Sequence, residues 1–76
     1  MDTFFQLVEL TSGNVADDFE TMDEATAALR KAVQMYGADV MRTYSLLEFV
    51  DGVATLVAMQ DELLKLVARH EMAQAV

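Results

Sequence analysis

The apolar positions of this chain come in short runs separated by turns, and each pair of runs is followed by apolar residues at helical spacing. The first run, Thr3 to Leu10, is rich in Phe, Leu and Val and predicts a strand. "TSGN" follows as a turn, where Gly13 and Asn14 tolerate positive φ, so the chain is expected to reverse into a second strand over Val15 to Glu20. At Thr21 the pattern changes to a capping box, "TMDE". Thr21 is placed to accept from the amide of Glu24, and Glu24 to reach back to the amide of Thr21. Met22, Ala25, Ala28, Leu29, Ala32, Val33 and Tyr36 then recur on one helical face, and Gly37 is placed to end the helix in a left-handed conformation.

The same order repeats. Asp39 to Val50 is the longest strand candidate, Asp51-Gly52 is a strong two-residue hairpin signal, and Val53 to Met59 is the returning strand. That loop sets Val50 against Val53, Glu48 against Thr55, Leu46 against Val57 and Tyr44 against Met59. On the other face it sets Phe49 against Ala54, Leu47 against Leu56 and Ser45 against Ala58. Both faces are substantially apolar, so each should be covered. A last helix begins near Asp61, with Leu63, Leu64, Leu66 and Val67 forming a broad apolar face, and the end, "AQAV", is expected to fray.

The two halves align with one another. Phe5 pairs with Tyr44, Leu7 with Leu46, Leu10 with Phe49 and Gly13 with Gly52. After Asn14 is treated as a one-residue insertion, Val15 pairs with Val53, Ala16 with Ala54, Phe19 with Val57, Ala25 with Leu63 and Leu29 with Val67. The expected fold is therefore α+β: tandem ββα units, with a pseudo-repeat over residues 3–37 and 42–73 of one small domain. They should form a four-stranded antiparallel sheet with two helices on one face. Hairpins and helix starts demand many of these shared features anyway, so the alignment fixes topology and leaves duplication open.

Size and composition bear on assembly. A chain of 76 residues buries only about 60–65% of the surface its unfolded form exposes, which makes a lone core marginal. Disulfides and thiolate zinc sites are excluded by the absence of Cys, and oligomerisation is the leading remaining reinforcement. The apolar fraction of 54% supplies more apolar side chain than one small core readily hides. A homodimer is expected, by a second copy stacking on the sheet face opposite the helices or exchanging a hairpin across a twofold axis, with Tyr44, Leu46, Leu47, Phe49, Leu56 and Val57 as interface residues. The six Met residues are assigned to gaps in the core and interface.

Charge divides the chain. Residues 1–29 carry seven acids and no Lys or Arg, while residues 30–76 carry six acids against five bases, giving −7 and then −1 of the total −8. Direct nucleic-acid binding is disfavoured without clustered Lys and Arg, and a basic partner is favoured. The acids Asp17, Asp18, Glu20, Asp23 and Glu24 are the candidate acidic partner-binding surface. They do not match a calcium-loop pattern, and no metal or cofactor is expected. Asp17 stands between Val15 and Phe19 and should lie near a sheet edge, where a charge discourages edge-to-edge aggregation. With no membrane span, and Asp2 rather than a basic stretch at the start, a cytoplasmic location is expected.

Candidate chemistry is sparse. His70 is the single His, in line with Leu63, Leu66 and Val67, and a packed role is favoured because no nucleophile or orienting group accompanies it in the sequence. The chain is therefore expected to be a non-catalytic protein-interaction module. The alternatives are an acidic, antitoxin-like inhibitor of the kind phages encode, which blocks a basic nucleic-acid-binding surface on a partner, and a small-ligand binder at a dimer seam using His70, Tyr44 or Tyr36.

Overall fold

A computed structural model describes residues 2–74 of the chain. Its elements run β1 (Thr3–Glu9), β2 (Val15–Phe19), α1 (Met22–Tyr36), a 3-10 segment (Ala38–Thr43), β3 (Tyr44–Val50), β4 (Val53–Met59) and α2 (Asp61–Gln74). The four strands form one antiparallel sheet in the order β2-β1-β3-β4, so the two hairpins join through their first strands. This is the expected ββαββα order of an α+β fold. α2 continues to Gln74, and the rest of the tail expected to fray, residues 75 and 76, lies outside the described residues.

β1 and β3 pair over their full length, from Thr3 opposite Val50 to Glu9 opposite Tyr44. Side chains alternate across a sheet, so Phe5 and Leu7 of β1 and Leu46 of β3 point to one face, where both helices lie. Phe19 and Ala58 join them from the outer strands, and Ala25, Leu29, Leu63 and Val67 cover them from the helices. Burying such a Leu or Phe contributes roughly 1.5–3 kcal/mol. The two ββα units bury residues at matching places, since Leu7 and Leu46, Ala25 and Leu63, and Leu29 and Val67 are all buried.

Local signals act close to expectation at most element ends. Thr21 Oγ1 accepts from the Glu24 amide at 3.1 Å, while Glu24 receives the amide of Glu20 rather than that of Thr21. Gly37 ends α1 at φ 89°, with an extended ψ of 166° in place of the left-handed helical value, and its amide bonds Val33 at 2.8 Å. Asp51 and Gly52, at φ 50° and 84°, make the tight turn that sets Val50 opposite Val53.

Two expectations are corrected. The strand predicted from Asp39 begins only at Tyr44, and Ala38–Thr43 coil into a 3-10 segment. β1 turns away after Leu10, whose amide bonds Thr43 at 2.8 Å, so earlier residues would have no strand partner. They instead close local bonds, Thr43 Oγ1 to the Val40 carbonyl among them, and bury Met41 completely. The second correction is to the β3–β4 register. Pairing runs as expected from Val50 and Val53 to Leu47 and Leu56, then slips at a bulge, so that Leu46 faces Ala58 and Ser45 faces Met59. The extra residue is Val57, which packs against the core. β2 bulges at the repeat-equivalent place, with Leu7 opposite Asp17 and Val8 opposite Val15. By this register the counterpart of Asp17 is Ala58, not the Thr55 that the sequence alignment implies.

Candidate interaction surface

The molecule measures 33 × 30 × 16 Å, and its short axis has room for one sheet and one layer of helices. Among the described residues, none therefore covers the second sheet face. Alternation places on it Phe4, Gln6 and Val8 of β1, Ser45, Leu47 and Phe49 of β3, and Val15, Asp18, Ala54, Leu56 and Met59 of the outer strands. Phe4 and Phe49, directly opposite across the central pair, stack with ring centroids 4.8 Å apart and planes within 1° of parallel. Leu56 is 51% exposed and Val15 50%. Asp18, on an edge strand, is the only charged side chain that this alternation places on the face.

Of the residues expected at a dimer interface, Leu47, Phe49 and Leu56 lie on this face. Leu46 does not: it is fully buried beneath the helices. Tyr44 and Val57 pack against the core from the helix side, Tyr44 by alternation with Ser45 and Val57 because of the β4 bulge. Sequence inspection missed Phe4, Val8 and Val15. Assigning them required knowing that β1 lies beside β3, and within-hairpin patterning carries no signal for that.

The five acids expected to form a surface are all exposed. Asp17 and Asp18 lie on β2, which is an edge strand as expected for Asp17, and Glu20, Asp23 and Glu24 continue into the start of α1. The Asp18 amide donates to Asp17 Oδ1 at 2.8 Å, and Glu24 serves the helix start. Asp23 is committed elsewhere, accepting from His70 Nε2 at 2.6 Å. His70, with 19% of its side chain exposed, thus joins α2 to the first turn of α1, and Arg30 and Glu71 approach within 3.7 Å beside it. The crevice here holds only about 70 Å³, and its one hydroxyl, on Thr26, donates to the Met22 carbonyl at 2.9 Å. The arrangement suits an interhelical clamp. Among the described residues no three His, Asp or Glu side chains gather as a metal site.

Among the described residues, no helix is long and apolar enough to cross a membrane. The chain matches no protein-family model, no curated protein and no solved structure.

Proposed function

We propose that the chain is a non-catalytic protein-interaction module that pairs with a second copy of itself through the uncovered sheet face. The observation that carries this is the stacked Phe4–Phe49 pair, flanked by Leu47, Val8 and Leu56 on a face with one peripheral charge. Four strands spaced about 4.8 Å and seven residues rising about 3.3 Å each give a footprint of roughly 450 Å² per copy. Counting side-chain relief, two such faces reach the roughly 1,000 Å² that separates specific interfaces from casual contacts. Two sheets packed face to face about 10 Å apart would interdigitate these side chains as in a β-sandwich. Light scattering at low and high salt tests this. A dimer at both salts for the wild type, and a folded monomer for Leu56→Glu, is the expected pair of results. A folded wild-type monomer at all concentrations would overturn the proposal.

An acidic inhibitor is the second reading, supported by four exposed acids without ion-pair partners among the described residues, Asp17, Asp18, Glu20 and Glu24, in a half of the chain that has no Lys or Arg before Arg30. Partner binding that collapses with salt favours this reading, and binding that survives salt but fails on an apolar-face substitution favours the first.

A further inference from the structure

The repeat supplies an internal comparison, because each half wedges an outer strand against the flank of its own helix. In the second half the two aligned positions carry larger side chains. The bulged Val57 of β4 and Leu66 of α2, the residue preceding the buried Val67, are both half-buried against the core. In the first half the corresponding residues are Ala16, bulged from β2, and Ala28, preceding the buried Leu29. Both are truncated to a methyl group. What remains is an open groove of about 440 Å³ lined by Phe19 and other apolar residues, with Tyr36 and Tyr44 also in its lining.

At the rim of this groove stands Asp17, at the register position where the second half has the buried Ala58. It forms no ion pair with any described Lys or Arg, and the Asp18 amide at 2.8 Å fixes its carboxylate while leaving oxygen lone pairs to receive a further donor. An apolar trough with a held, unneutralised carboxylate is complementary to apolar surface carrying a cation. A second copy fits poorly, since its net charge of −8 repels at this acidic edge.

We propose that this groove docks a segment of a partner protein in which Lys or Arg is flanked by aliphatic side chains. The aliphatic group takes the space beside Ala16 and Ala28, and the cation pairs with Asp17. The groove is on the helix side of the sheet, so it stays accessible whether or not the opposite face pairs two copies.

The test is a titration of the ¹⁵N-labelled chain with an acetylated, amidated Lys-Leu-Lys-Leu-Lys peptide, using Glu-Leu-Glu-Leu-Glu as control. Saturable amide shifts at Ala16, Ala28 and Tyr36, with the basic peptide alone, are expected. Asp17→Asn should weaken binding about ten-fold, as loss of one charge-assisted hydrogen bond does. Ala28→Leu should abolish the shifts while preserving the fold, and Ala16→Val serves the same purpose if Ala28→Leu does not fold. Shifts spread over the acidic residues generally, equal shifts with the acidic peptide, shifts that persist in the filled-groove variant, or no shifts at all would each overturn the proposal.

Discussion

Leu7 and Leu46 face each other directly across the central strands, and they are also the residues that the internal alignment, offset by thirty-nine positions, makes equivalent. Both β-bulges fall one step beyond this pair, at Leu7/Val8 and Leu46/Leu47. Two residues at the junction of the two hairpins are packed from both halves at once. Leu46→Ala is accordingly expected to cost about 2–5 kcal/mol, and Leu7→Ala less, since Leu7 retains 9% exposure against none for Leu46. Urea unfolding of both variants measures the difference, and equal or negligible losses would contradict it.

The Thr21 hydroxyl satisfies an amide that α1 cannot pair internally. Thr21→Ala is expected to lower stability by about 1 kcal/mol, and Thr21→Ser to restore most of it. The same unfolding assay reads both variants.

The turn at Asp51 and Gly52 needs positive φ at both positions. Gly52→Ala should cost about 1 kcal/mol through backbone strain alone, because open space surrounds the position where the new methyl group would lie. Asp51→Asn should be tolerated, although Asp2 then bonds an amide oxygen in place of the carboxylate that now accepts its amide at 3.2 Å. A Gly52→Ala protein as stable as wild type would show that the turn had changed type.

His70 and Asp23 join the ends of two helices across forty-seven residues of sequence. Asp23 is largely exposed, at 77%, so solvent screens the pair. A double-mutant cycle with His70→Ala and Asp23→Ala is expected to give a coupling of at most about 1 kcal/mol. A coupling of several kcal/mol would mean that the pair is a buried keystone instead.

Strong local chemistry made much of this legible in advance. Asp51-Gly52, the Thr21 cap, Gly37 and the helical stripe through Ala25 and Leu29 each specify their own geometry within a few residues. What escaped depends on distant partners. The bulges at Ala16 and Val57 reflect how the outer strands fit beneath the helices, and they changed which residues line each face. The 3-10 segment exists because β1 leaves the sheet at Leu10, a constraint thirty residues away from Val40. Three residues of the candidate interface were legible from the β3–β4 hairpin, and Phe4 and Val8 became visible only once β1 was found beside β3.

Isotope-filtered NOE spectroscopy on a mixture of labelled and unlabelled chains tests most directly whether this face joins two copies. Intermolecular contacts confined to Phe4, Val8, Leu47, Phe49 and Leu56 are the predicted result. Contacts arising from the helices or the β2 edge, or none from a monomeric protein, would contradict it.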